Sequence, residues 1–205
     1  HPLDMDIELI KSHRDNKKLM PYLHLPAQSG SDYVLKMMNR KHTAKEYLKI
    51  IETVRYYNPK IAISGDFIVG FPGETDKDHN STLSLIKQVN YAQAYSFKYS
   101  KRPGTPGSVF LNQVSEDTKN YRLFEVQELL RSQQLSFNKK TINSNMEVLV
   151  LKKGKKKNQY LGRSPFNQSV YFSHKNENLI GSIINLNITE AFQNSLTGNI
   201  VFDFQ

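Results

Sequence analysis

Along the first part of the chain, short continuous apolar runs alternate with stretches in which apolar residues recur every three or four positions. Pro21 and Pro26 bracket a short strand, Tyr22-Leu23-His24-Leu25, and the polar turn Gln28-Ser29-Gly30-Ser31-Asp32 leads into a helix carrying Val34, Leu35 and Met38 on one face. Thr43 and Glu46 form a T-x-x-E capping box that opens a second helix with an inner face of Tyr47, Ile50, Ile51 and Val54, and Asn58-Pro59 stops it. The run Ile61-Ala62-Ile63-Ser64-Gly65-Asp66-Phe67-Ile68-Val69 is nearly continuous apolar sequence, as buried parallel strands are. Gly70-Phe71-Pro72-Gly73-Glu74 reads as a tight turn, after which Thr75 and Asp78 open a helix carrying Leu83, Ile86 and Val89. A strand over residues 94–99 ends in the loop 100–107, and a long helix runs from Ser115 to about Lys140 with Leu123, Val126, Leu130 and Phe137 at helical spacing. Strands alternating with helices imply parallel βα units.

After Asn143 the texture changes. Apolar alternation over 146–151, 160–163, 169–172, 182–188 and 196–202, punctuated by Gly, Asn, Pro and Lys, predicts five short strands in a small OB-type barrel. The expected architecture is α/β: a partial (β/α) barrel with a connecting helix over residues 1–137, then an all-β barrel over 138–205.

Composition narrows the functional classes. The 205 residues are 38% hydrophobic, with 11 Tyr and 11 Phe, enough for a packed core. No apolar run approaches the roughly 18 residues that a membrane helix needs, and no signal peptide opens the chain. It begins with His1 rather than Met, which is read as a fragment, a processed product or a trimmed chain. The net charge is +9; residues 1–137 hold 19 Lys/Arg against 15 Asp/Glu, and residues 138–205 hold 9 against 4. The second part is the more basic for its length, which points to a polyanion, nucleic acid first. There is no cysteine, so disulfides, thiolate-bound zinc and a cluster held by this chain's own thiolates are excluded, and a cytoplasmic setting is expected.

Three loops fall at the C-terminal ends of the expected strands, where ligands of parallel βα folds gather: residues 28–32, 70–74 and 100–107. Glycine turns let backbone amides approach a nucleotide, and Arg102 can meet a carboxylate or phosphate bidentately. The Gly70 turn is no P-loop, because no Gly-Lys-Ser/Thr follows it. Asp66 stands between apolar neighbours in a strand, where a buried carboxylate is costly without a partner, so a site role is favoured over a structural ion pair. His24 and His42 lack metal-pair spacing and are read as structural or capping residues, and no metal site is expected. In the second part, Lys152, Lys153, Lys155, Lys156 and Lys157 form a hairpin tip, and Arg163 and Phe166 lie nearby in sequence. Lysines can hold phosphates while an aromatic ring stacks on a base, so these seven residues are the candidate RNA contacts.

His24-Leu25-Pro26-Ala27-Gln28-Ser29-Gly30-Ser31-Asp32, Met38-Asn39-Arg40-Lys41-His42-Thr43, Asp66-Phe67-Ile68-Val69-Gly70-Phe71-Pro72-Gly73-Glu74-Thr75 and Ser96-Phe97-Lys98-Tyr99-Ser100-Lys101-Arg102-Pro103-Gly104-Thr105-Pro106 resemble the radical-SAM methylthiotransferases. Residues 138–205, with Leu161-Gly162-Arg163-Ser164-Pro165-Phe166-Asn167 and Asn194-Ser195-Leu196-Thr197-Gly198, resemble the TRAM domain that ends those enzymes. Arg40-x-His42-Thr43 and Asp66-Phe67-Ile68-Val69 favour the members that act on dimethylallyladenosine in tRNA over those acting on threonylcarbamoyl-adenosine or a ribosomal protein. The resemblance implies an enzyme using S-adenosylmethionine and two [4Fe–4S] clusters to place a methylthio group on C2 of the modified adenosine beside the anticodon. It also implies a radical, because that carbon has no useful acidity. By motif position, Gln28, Ser29 and Ser31 are expected at the ribose or methionine of S-adenosylmethionine, Asp66, Gly70 and Glu74 on the adenine side, and Arg102 at substrate or cofactor; no catalytic acid, base or nucleophile is named.

The cluster-binding cysteines of that family are missing from this chain. It is therefore expected to be inactive alone and to act on tRNA with an N-terminal portion bearing the clusters. The rival readings are a stand-alone tRNA-binding protein or an inactive gene remnant; a self-sufficient barrel enzyme is disfavoured because half a barrel leaves strand edges unpaired. Anaerobic reconstitution followed by iron and sulfide analysis should find only background metal on the purified chain. Near-stoichiometric [4Fe–4S] on the monomer contradicts this reading.

Overall fold

The computed structural model describes residues 1–175 and 178–201. The chain forms two compact units, His1–Leu19 with Leu23–Gln133, and Met20–Tyr22 with Gln134–Gln205.

In the first unit, a 3-10 turn (Pro2–Asp4) precedes α1 (Ile7–Asp15), β1 (Tyr22–His24), α2 (Asp32–Met37), α3 (Ala44–Tyr57), β2 (Ala62–Val69), α4 (Asp76–Val89), β3 (Gln93–Lys98), α5 (Pro106–Val109) and α6 (Glu116–Lys139). The sheet order is β1-β2-β3, with β2 and β3 parallel in the register Ser64↔Gln93 to Val69↔Lys98. Past the end of β1 the chain stays on β2: Gln28 donates its N–H to Asp66 O at 2.8 Å, and Ile68 donates to Gln28 O at 2.9 Å. The expected α/β architecture is borne out.

Side chains alternate across β2. Ile63, Phe67 and Val69 enter the core with Leu25, Ile51, Val54, Ile86 and Val89. The helices stand where their caps begin them: Thr43 with Glu46, and Thr75 with Asp78, both form complete capping boxes. Inside the core, Tyr47 donates its hydroxyl to Leu25 O at 2.7 Å and lies 2.9 Å from the Tyr91 hydroxyl. Burial pushes both phenols above their ordinary range, so they stay neutral. Gly65 lets this layer close, since a Cβ there would meet the Tyr91 ring at 2.9 Å.

Besides the opening 3-10 turn, two α-helices escaped the sequence reading. α1 is capped by Asp6, which accepts from Leu9 N–H at 2.7 Å, yet it buries only Ile10. α5 starts at Pro106 inside the expected loop, proline being at ease in a first turn.

The second unit is a closed barrel, β4-β5-β6-β8-β7, built from β4 (Asn145–Lys153), β5 (Gln159–Arg163), β6 (Ser169–Ser173), β7 (Ile183–Ala191) and β8 (Leu196–Ile200). All five expected strands are present; Phe202, the expected end of the last, lies outside the described residues. Pairing is antiparallel except between β6 and β8, and closure leaves no free edge among these strands. Inward residues Val148, Val150, Tyr160, Val170, Phe172, Leu186, Ile188 and Leu196 fill the interior, with Tyr160 stacked on Phe172. Among the described residues no helix is long and apolar enough to cross a membrane.

A buried histidine makes the first unit sensitive to acid. His79 on α4 meets Glu125 of α6 at 2.9 Å, and burial, opposed by that carboxylate, holds its imidazole below the ordinary value of 6.5. His42 is lowered in the same direction by burial. Between the lowered folded value and 6.5 the unfolded chain binds more protons, so stability falls as pH drops through that window. Thermal unfolding between about pH 7.5 and 5.5 should show a falling midpoint, and His79→Gln should make that fall shallower. A flat profile, or an equal slope in the variant, contradicts this assignment.

Candidate functional site

Parallel strands deliver their C-terminal ends to one rim, and there the first unit has a cleft of about 500 Å³. Gln28 lines it from beyond β1, Met37, Met38 and Arg40 from the end of α2, Ile68 and Phe71 from the end of β2, and Phe97, Tyr99 and Arg102 from β3 and its loop. Gln28 adopts the left-handed region (φ 72°) and is 7% exposed. Its backbone is tied to β2 on both sides, whereas its carboxamide has no hydrogen-bond partner among the described residues.

Ser29 and Ser31 do not line the cleft. The Ser29 hydroxyl lies 3.2 Å from Thr82 Oγ1 and accepts from Ser31 N–H at 3.1 Å. Ser31 caps α2 through Val34 N–H and donates to Asp78 Oδ1 at 2.5 Å. Burial opposes ionisation of Asp78, but the hydrogen bonds from Ser31 and Thr75 outweigh it and hold its carboxyl below the usual value. Between the two serines, Gly30 sits so close to α4 that a Cβ would lie 2.4 Å from Ser81 O. Both serines thus fasten the loop to α4.

The turn after β2 is fastened from the other side. Gly70 (φ 71°) donates its N–H to Glu74 Oε1 at 2.9 Å, and Arg122 of α6 donates to that oxygen at 2.8 Å and to Glu74 O at 3.0 Å. Arg122 also reaches Asp76 at 2.8 Å. Burial pushes the Glu74 carboxyl up, against the Gly70 amide and the Arg122 guanidinium. Neither Gly70 nor Glu74 lines the cleft.

Asp66 needs a correction. Its side chain is 28% exposed rather than buried, and it has a partner: His24 Nε2 at 3.4 Å. His24 Nδ1 lies 3.0 Å from Ser64 Oγ, so His24, Ser64 and Asp66 form one polar group on the face of the sheet opposite the core. The apolar flanks seen in sequence belong to the other face of β2.

In the barrel unit, Lys153, Lys156 and Lys157 line a concavity of about 190 Å³ with Gln159, His174 and Lys175. Lys152 and Lys155 are exposed beside it. Two candidates are otherwise engaged. Arg163 donates to Asn167 O at 3.1 Å and Ser169 Oγ at 3.2 Å, holding a turn. Phe166 packs on the barrel core and sets its ring edge-on to Phe137 at 5.8 Å, which removes the support for a base-stacking platform. Sequence reading missed His174 and Lys175, although the pairing Gln159↔Ser173 brings the end of β6 to the lysine hairpin.

Two family profiles match the chain: the Radical SAM superfamily over residues 2–86 and the TRAM domain over residues 139–201. The tRNA-2-methylthio-N(6)-dimethylallyladenosine synthase of Ehrlichia chaffeensis is 52% identical over 203 residues, which is 98% of this chain and 46% of that protein. Synthases of the same name from Rickettsia rickettsii and Agrobacterium fabrum are 51% and 52% identical, again over 98% of this chain and over 45% and 44% of their own lengths. By sequence, nearly the whole chain is similar to the later part of radical-SAM methylthiotransferases. It spans a little under half the length of these relatives, and the resemblance read from its motifs, subclass included, is borne out. The Radical SAM match takes in the Gln28, Met38 and Phe71 sides of the cleft but not its Phe97–Gly107 side, and the TRAM match takes in the lysine concavity.

The chain does not fit an iron–sulfur cluster, because it offers no thiolate. Among the described residues no group of three or more His, Asp or Glu converges as metal ligands do. The cleft does fit a polar organic cofactor: Gln28 brings a free carboxamide to an otherwise mainly apolar wall.

The buried pair at the Gly70 turn predicts a double-variant result. Arg122→Met strands a buried carboxylate and should cost about 3–5 kcal/mol in urea unfolding. Adding Glu74→Gln should recover part of that loss. Additive losses in the double variant contradict the coupling.

Proposed function

We propose that this chain works as the later part of a tRNA methylthiotransferase, placing a methylthio group on C2 of N(6)-dimethylallyladenosine beside the anticodon. The observation that carries this is the synthase similarity over 98% of the chain, which includes every loop that shapes the cleft. Residues 1–137 supply the later barrel strands and the connecting helix, and residues 138–205 the RNA-binding domain. The clusters belong to a portion carrying the cysteines, joined in the same polypeptide or supplied in trans.

S-adenosylmethionine, with a cluster, supplies the radical that attacks an unreactive C–H bond. The residues here bind and orient. Gln28 offers its carboxamide to the ribose or methionine part of the cofactor. Ser29, Ser31, Gly70 and Glu74 act one step away, holding the two loops against α4 and α6 so that their backbones meet the ligand in fixed positions. Asp66, tied to His24, faces the polar side of the sheet, and Arg102 serves substrate or cofactor with a free guanidinium. In the barrel domain Lys153, Lys156, Lys157 and Lys175 hold tRNA phosphates, with Lys152 and Lys155 on the flank. The stand-alone RNA-binding reading shares this last feature but assigns the cleft no role.

Phosphate neutralisation releases counterions, so the chain's affinity for an anticodon stem-loop should fall steeply with salt. Lys156→Ala, Lys157→Ala and Lys175→Ala together should flatten the log–log salt slope by roughly two units. Phe166→Ala should act through thermal stability rather than through the slope. An unchanged slope in the triple variant, measured by filter binding, removes the concavity from the RNA surface.

A further inference from the structure

Exposed apolar residues scattered one by one are ordinary on any protein surface, but in the barrel unit four of them adjoin. Leu149 and Leu151 are outward positions of β4, 41% and 42% exposed. Ile183, 65% exposed, stands directly opposite Leu149 on β7. The ladder then runs on, with Val150 N–H donating to Ser182 O at 2.9 Å and Gly181 N–H donating to Val150 O at 2.8 Å. This sets Gly181 opposite Leu151, with Ile180, also exposed, next in the chain. The alternate residues Val148 and Val150 already fill the interior, so the outward aliphatic chains add nothing to the barrel core.

The charges at the two ends of this patch have an order. Exposed positions along β4 read Glu147, Leu149, Leu151 and, past the bulge, Lys152. Neither Glu147 nor Lys152 has an ion pair among the described residues, and about 16 Å of strand keeps them from meeting within one chain. An acid, two aliphatic residues and a base form a row that is its own complement when turned end for end. We infer that this face is the contact for a second copy of the chain. The two β4 strands face each other antiparallel about a two-fold axis between Leu149 and Leu151, and each Glu147 meets the Lys152 of the other copy. A two-fold contact requires a patch that suits itself, and an apolar centre inside a polar rim is the usual build of a contact between proteins. RNA suits the centre of this face poorly, because it offers aliphatic chains where bases need aromatic rings. The inference is independent of the tRNA reading. Because the strands are antiparallel, the two lysine hairpins leave the contact in opposite directions.

Four aliphatic residues per copy make a smaller contact than an obligate dimer has, so the expected Kd is about 10–100 µM. Sedimentation equilibrium of the full chain without RNA, at a fixed salt concentration near 0.15 M, should show the average mass rising towards twice that of one chain over this range. Ile183→Glu and Leu151→Asn should each raise the Kd about tenfold or more, since a two-fold contact carries every substitution twice. Both residues are exposed, so the thermal midpoints should stay near that of the parent chain. Glu147→Lys and Lys152→Glu should each raise the Kd about three- to fivefold, and the two together should bring it back to within about twofold of the parent. That recovery is specific to the antiparallel two-fold pairing, because the two residues are too far apart to act on each other within one chain. A chain that stays monomeric to about 200 µM overturns the inference. Association untouched by Ile183→Glu and Leu151→Asn, or a double reversal no tighter than the single ones, overturns it as well.

Discussion

The parallel pairing of β2 with β3, continued on the other side by the chain beyond β1, is the constraint on which the rest of the first unit depends. It sends three chain segments off the sheet at one rim, so the residues with chemistry to offer are neighbours there although they lie far apart in sequence. A rim of loops is useful only if the loops hold still. Here α4 grips one loop through Thr82 and Asp78, and α6 grips the other through Arg122. Glycine permits both grips by close approach: Gly30 against α4, and Gly70 against the stem of Lys119 on α6. The fastening residues are thereby separated from those lining the cleft.

The barrel unit shows the same division of labour. Its closed strands and stacked interior rings provide stability without help from the lysine hairpin, which is left exposed and unneutralised among the described residues. Arg163 and Phe166 look like RNA ligands in a one-dimensional list, yet they hold the turn and pack the barrel. What remains for a polyanion is a compact group of lysines on two strand ends.

Much of this architecture was legible because local signals and tertiary needs agree. The apolar run at 61–69, the two capping boxes and the five alternating segments each carry their own evidence of strand or helix. The misreadings have physical causes. α1 buries one residue and so leaves almost no apolar periodicity to detect. Asp66 seemed buried because its sequence neighbours are, but a strand shows neighbours to opposite faces, and on its own face Asp66 is part-exposed beside His24. Met38 has the spacing of a core position, yet it falls just past the end of α2 and turns into the cleft. Glu74 was recognisable as a turn residue, whereas its partner Arg122 lies 48 positions away, beyond any local pattern. The cleft itself needs three loops at once, and only folding brings them together.

If these residues form the working later part of a methylthiotransferase, they should complete a chain that carries the cluster cysteines. The most direct measurement joins the cysteine-bearing N-terminal portion of the Ehrlichia chaffeensis synthase in frame to this chain and expresses it in cells whose tRNA carries dimethylallyladenosine but not its methylthio derivative. Nucleoside mass spectrometry of that tRNA should show the mass gain of a methylthio group in place of hydrogen, and Arg122→Met should reduce it. A soluble, cluster-loaded chimaera that leaves the tRNA unmethylthiolated contradicts the claim.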